Sequence, residues 1–130
     1  ASYARSGLTR ARMGLAKVAE RRSDFSAARD LYRRLLAGAE ARRHYRESLV
    51  GLAEGWLRVR GYRAMRNQPY AGGFTTQHYG APGRSVHVLL VEINRALYMD
   101  EAAMRPHAGF AALSRHLAEF IEDVGHATLG

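Results

Sequence analysis

Apolar positions recur at helical spacing three times in the first half of the chain. From Leu8 to Glu20, the residues Leu8, Ala11, Leu15 and Val18 fall three and four apart, which predicts a helix with that stripe inward and arginines on its other face. Ser23-Asp24 offers a cap for a second helix, whose stripe of Phe25, Ala28, Leu31, Tyr32, Leu35 and Leu36 ends near Gly38. A third runs from Glu40 to Arg60 through Tyr45, Leu49, Leu52, Ala53, Trp56, Leu57 and Val59, and Gly61 is its stop. Trp56 is expected in the core.

Beyond Gly61 the pattern changes. Tyr62 to Arg66 is short and mixed, compatible with a strand, and leads into the turn-rich stretch from Asn67 to Gly73. Phe74 to Gly83 reads as loop, with Ala81-Pro82-Gly83 a turn. Val86 to Tyr98 is the best strand in the chain, apolar on both faces until Glu92 and so expected to be buried on both. A last helix from Gly109 to Val124 presents Phe110, Leu113, Leu117, Phe120, Ile121 and Val124, and is expected to pack on that strand.

At 130 residues, with 47% hydrophobic and 25% charged residues, the chain has the size and composition of a single folded domain. Its longest apolar run, Val88-Leu89-Leu90-Val91, is far shorter than the ~20 residues of a membrane span. No cysteine is present, so thiolate metal sites and cysteine nucleophiles are excluded. The net charge of +8 is unevenly placed: residues 1–66 carry 16 basic and 6 acidic side chains, residues 67–130 carry 4 and 6. Only Lys17 among the basic residues is lysine, an arginine bias that GC-rich coding also produces, so a nucleic-acid partner is not expected from charge alone. The chain opens on Ala1, and its arginine-rich start overlaps in composition with transit peptides.

Two constellations could carry chemistry. Glu92, directly after an apolar strand, would be a desolvated and directed carboxylate suited to general-base work, or else half of a structural ion pair with Arg95 or another arginine. The loop from Asn67 to Gly80 gathers Asn67, Tyr70, Thr75, Thr76, Gln77, His78 and Tyr79 around Gly72-Gly73, a set able to recognise a small polar ligand or simply to make turns. The six histidines give no HxH, HExxH or HxxEH spacing; His78 and His87 flank a turn, while His44, His107, His116 and His126 read as helix-face or surface residues. No complete metal site is expected in this chain. A nucleophile elbow and a phosphate loop are also missing from the sequence.

The segment Gly61-Tyr62-Arg63, then Asn67-Gln68-Pro69-Tyr70-Ala71-Gly72-Gly73-Phe74-Thr75-Thr76-Gln77-His78-Tyr79-Gly80, then Val86-His87 and Val91 through Tyr98-Met99-Asp100-Glu101, resembles the N-formylglutamate amidohydrolases (deformylases) of bacterial histidine degradation. The resemblance covers about residues 49–124. It implies an α/β fold of the zinc-peptidase kind, related to metallocarboxypeptidases, and hydrolysis of an N-formyl amino acid by a metal-activated water in the cytoplasm. Glu92 matches the glutamate that moves the proton. Asn67, Gln77, His78, Tyr79 and Arg95 would line the substrate side.

Two departures shape the expectation. Gln77 stands where members of the family usually carry arginine, which removes a charge-assisted partner for a substrate carboxylate. The family's metal ligands lie in Pro-His-Ser-Gly and Asp-x-His stretches that this sequence lacks, so the divalent metal, zinc by resemblance, has no complete site here. The resulting expectation is a single domain in which residues 1–48 are a basic helical leader and residues 49–130 the C-terminal part of an amidohydrolase. N-terminal helices are followed by a short sheet and a C-terminal helix. Such a piece should be inactive alone, with sheet edges open to self-association or to a partner that brings the metal ligands. The alternative is a small basic helical module binding nucleic acid or an acidic protein.

Overall fold

The three N-terminal stretches of helical spacing do form helices, α1 (Ser2–Arg21), α2 (Phe25–Leu36) and α3 (Ala41–Val59). A computed structural model describes the backbone of residues 2–37, 41–68 and 73–129 and the side chains of residues 7–37, 45–68 and 73–127. Gly38, Glu40, Tyr70, Gly72 and the side chain of His44, on which some expectations fell, lie outside it. The α1–α2 corner turns through Ser23 at φ 57°, and Asp24 caps α2 by accepting the Ala27 N–H at 3.1 Å. Helix α2 buries Ala28, Tyr32, Leu35 and Leu36, and α3 buries Ser48, Leu49, Leu52, Ala53 and Trp56. Glycine sets how closely these two approach: a Cβ on Gly51 would stand 2.3 Å from the Tyr32 ring, and one on Gly55 2.9 Å from the Arg29 Cβ.

Helix α1 forms, but its inward face is not the predicted one. Met13, Ala16 and Ala19 are buried, whereas Leu8 and Leu15 are 52% and 58% exposed. Small side chains at three-residue spacing let α1 lie close to its neighbours, and closeness outweighs the larger stripe beside it. Lys17 ties the helix to α3 through Glu47 at 2.7 Å. Met13, Ala16 and Ala19 share one core with Tyr32, Leu52 and Trp56, so residues set apart by sequence as a leader pack against α3.

The C-terminal helix α5 (Gly109–Leu129) is five residues longer than its pattern predicts and packs on α3, not on a strand. Phe120 meets Trp56 edge-on at 5.3 Å, and the indole N–H donates to Asp123 Oδ2 at 2.7 Å. The Arg60 guanidinium lies over the Trp56 ring, 3.3 Å from its centre. Phe110 and Ile121 face outward.

Three further expectations are corrected between Gly61 and Pro106. Tyr62 to Met65 is not a strand; Arg58 Nη2 donates to the Ala64 carbonyl at 2.6 Å and draws the segment back along α3. Phe74 to Tyr79 is a short helix, α4, free of the glycines at positions 73 and 80 that flank it. Val86 to Tyr98 is not a strand buried on both faces. Val86 bridges Ala81 across a 3-10 turn at Pro82–Arg84, residues 87–94 are irregular, and Arg95–Leu97 is again 3-10. Val86, Leu90 and Val91 are exposed, while Leu89 reaches the core. A β pattern becomes a strand only with a neighbour to pair with, and among the described residues the main chain of 87–93 has none.

The sheet that does form is small: β1 (Met99–Asp100) pairs antiparallel with β2 (Arg105–Pro106), and Asp100 Oδ1 accepts the N–H groups of Ala102 and Ala103 at 3.0 Å to close the turn. The architecture is mostly helical with this one two-stranded sheet. No helix among the described residues is long and apolar enough to cross a membrane.

Candidate functional site

The polar loop begins where α3 ends. Gly61, at φ 88°, lets the chain reverse, and the Tyr62 N–H returns to the Leu57 carbonyl at 3.1 Å. Five residues on, Arg66 Nε donates to Glu54 Oε2 on α3 at 2.5 Å, and its Nη2 donates to Glu20 Oε1 on α1. The Tyr32 hydroxyl of α2 donates to the same Glu20 oxygen at 2.8 Å, and Arg58 Nε occupies the other Glu54 oxygen at 3.1 Å. Each carboxylate therefore serves two donors, and the set spans three helices.

Electrostatics favour these states. Partial burial works against the Arg66 charge, but Glu54 and Glu20 outweigh it and raise the guanidinium pKa further. Burial, then the bond to Glu20 and the charge of Glu20, push the Tyr32 hydroxyl well above the usual phenol value, against a smaller opposing pull from Arg66. Sequence reading missed this group. Its signal was an acid directly after a core alanine on two helices, Glu20 after Ala19 and Glu54 after Ala53, together with a hydroxyl in the α2 stripe.

Next to Arg66, Asn67 is exposed and held at φ 53°, a left-handed conformation that asparagine tolerates. Gln77, His78 and Tyr79 stand together on α4, all exposed. The His78 ring stacks on Phe74 at 4.6 Å and meets Tyr79 edge-on at 4.8 Å, and Thr76 Oγ1 donates to the Gly73 carbonyl at 3.0 Å.

Glu92 is exposed, not desolvated at a strand end. The alternative Glu92–Arg95 ion pair is not formed either, because Arg95 Nε pairs with Glu101 at 2.7 Å. Asn94 caps the 3-10 turn through the Ala96 N–H at 3.0 Å and so sets the backbone between Glu92 and Arg95. Thus α4 brings Gln77, His78 and Tyr79 together, while no hydrogen bond, ion pair or ring contact joins them to Asn67, Glu92 or Arg95 among the described residues.

The histidines take separate posts. His87 stacks on Tyr45 at 3.6 Å, and burial followed by the nearby Arg46 charge lowers its pKa. His116 Nδ1 is hydrogen-bonded to the Tyr62 hydroxyl at 2.6 Å. His107 accepts the Gly109 N–H at Nδ1, so Nε2 carries the hydrogen donated to the Ala96 carbonyl at 2.9 Å. No three of His, Asp and Glu converge as ligands among the described residues, so this arrangement does not fit a metal centre.

Comparison with known proteins completes the picture. The family model described as N-formylglutamate amidohydrolase matches residues 7–99, well over half of the chain, and takes in α1 and α2 as well as Asn67, Gln77, His78, Tyr79, Glu92 and Arg95. The N-formylglutamate deformylase of Pseudomonas aeruginosa is 42% identical over 43 residues. That stretch is 33% of this chain and 16% of the relative, so the chain matches only a small part of the relative's length. No solved structure matches.

Proposed function

Because the chain belongs to the N-formylglutamate amidohydrolase family, we propose that it is the portion of such a hydrolase that carries the substrate loop and the proton-transferring carboxylate, acting on N-formyl-L-glutamate and inactive by itself. The observation that carries this is the family match over residues 7–99, which contains every residue in question. In the reaction a water oxygen adds to the formyl carbon, the carbon–nitrogen bond breaks, and formate and glutamate leave. Glu92 takes the water proton and hands it to the departing nitrogen, a task for which its exposure leaves it accessible. Asn67, Gln77, His78 and Tyr79 offer neutral hydrogen bonds, and Arg95, exchanging Glu101 for the substrate, offers a cation to a carboxylate.

The family resemblance brings with it a zinc-peptidase-like parent fold and a place in histidine degradation in the cytoplasm. The described residues do not fit the metal, so the roles above are confined to this chain's own groups. The exposed Val86, Leu90, Val91 and Phe74 are surface that further protein would cover, and in isolation they favour self-association.

The test is formate release from N-formyl-L-glutamate by the purified chain and its Glu92→Gln variant, with and without added zinc, beside an NMR titration with the same compound. No formate from either protein, with shifts at Gln77–Tyr79 and Arg95, is expected. Formate release by the parent that Glu92→Gln abolishes would sink the inactive-portion reading. Absence of shifts at those residues would remove the substrate loop.

A further inference from the structure

We propose that Arg66 is a positioning residue: held by Glu20 of α1 and Glu54 of α3, it fixes the start of the polar loop to the helices and so sets where Asn67 stands. The role rests on the reading of that loop as substrate-binding.

The geometry carries the argument. Between Gly61 and Asn67 the chain has neither helix nor strand, so side chains must hold it. They do so three times, through the Tyr62 hydroxyl to His116 at 2.6 Å, through Arg58 to the Ala64 carbonyl at 2.6 Å and, next to Asn67, through Arg66 to its two carboxylates. Glu54 supports both, with Oε1 on Arg58 and Oε2 on Arg66. Glu20 is held in turn by the Tyr32 hydroxyl at 2.8 Å, and Tyr32 is fully buried against α3. A planar guanidinium with donors on two edges can bridge carboxylates from different helices, which an ammonium cannot do in the same geometry. The chain then leaves Arg66 directly into Asn67 at φ 53°. A contact made between α1 and α3 is thereby passed to the first polar residue of the loop, and all five residues of the network, Glu20, Tyr32, Glu54, Arg58 and Arg66, lie within the family match.

The test uses the full chain and carboxylates remote in sequence from the loop, since changing Arg66 itself would disturb Asn67 trivially. In Glu20→Gln and Glu54→Gln, singly and together, NMR backbone relaxation should show Arg66, Asn67 and Gln68 losing order while Leu52 to Trp56 keep theirs. Should the double variant unfold, the Glu20→Gln single variant carries the same comparison. Arg66→Lys, which keeps the charge but not the two-edged donor set, should keep order at Asn67 and Gln68 only in part. Order at 66–68 unchanged in the carboxylate variants overturns the proposal. A titration with N-formyl-L-glutamate separates the two readings: binding by the parent that weakens about tenfold in the double variant supports both. Loss of order in the variants with no binding by the parent supports the positioning role and overturns the substrate reading alone.

Discussion

Helices α1, α2, α3 and α5 on one side and residues 73–108 on the other solve different problems. In the helical part Trp56 has an edge-on ring, a carboxylate acceptor and a stacked guanidinium around it, and is 1% exposed. In the other part Phe74, Tyr79, Leu90, Val91, Leu97 and Met104 are all exposed, and short turns do the work of a core. The motifs that identify the family are concentrated in the second part, and the free energy of folding comes from the first. Motif specificity and packing are therefore separable here: the stretch easiest to recognise is the one least able to hold itself.

The sharpest way to break this contrast is truncation of the core. Trp56→Ala should cost about 3–5 kcal/mol in denaturant unfolding, a large share of the roughly 5–15 kcal/mol that keeps a domain folded. Leu90→Ala, a smaller apolar truncation on the exposed stretch, should change stability by less than about 0.5 kcal/mol. A comparable loss at both sites would mean that residues 87–93 are packed in solution. Next in size is Gly51→Ala, whose Cβ must displace the buried Tyr32 ring; it should lose about 1–3 kcal/mol through overpacking between α2 and α3. A neutral result would show that the two helices can separate freely.

The pH dependence sharpens the contrast by reporting on each part through one group. Tyr32 has its hydroxyl pKa raised on folding by burial and the Glu20 bond, so the unfolded chain ionises first. Its contribution is complete below the ordinary tyrosine value of 10.0 and is lost as pH rises beyond it. Alkaline unfolding that starts near that pH and is blunted in Tyr32→Phe is expected. His87 works in the opposite direction: with its pKa lowered on folding, the unfolded state takes up the proton first, and stability declines as pH falls through and below 6.5. The residue is only partly buried, so the effect is small. Proton NMR should show His87 titrating below the ordinary imidazole value of 6.5, and a titration at that value would place His87 away from Tyr45.

How much of this was legible follows from what each signal encodes. The helices α2 and α3, the Asp24 cap, the Gly61 stop and the place of Trp56 follow from spacing and local chemistry alone, and each is where the sequence puts it. On α1 the spacing gave a helix but the wrong face, because Leu8 and Leu15 outrank Ala16 and Ala19 in hydrophobicity while the alanines win in closeness of approach. Val86 to Val91 misled for a deeper reason. Alternation and branching describe a residue's fitness for a sheet, and the sheet itself depends on a partner that no local window contains. For the site, the resemblance supplied Asn67, Gln77, His78, Tyr79, Glu92 and Arg95. It could not supply the Arg66 network, which joins residues 46 positions apart.

Glu92→Gln is the smallest expected change and the most direct probe of the second part. A carboxylate that is exposed and bound to no neighbour among the described residues adds little to packing, so its amide should leave the unfolding free energy within about 0.5 kcal/mol of the parent. Arg95→Gln, which frees Glu101 from a surface pair, should cost no more than about 1 kcal/mol. Glu54→Gln should exceed both, because it leaves Arg58 and Arg66 short of an acceptor at a partly buried position. This order would mean that the carboxylate beneath the loop serves the fold and the carboxylate beyond it is free for chemistry. If Glu92→Gln proved as costly as Glu54→Gln, then Glu92 would have a structural partner in solution, and its assignment to proton transfer would lose its physical basis.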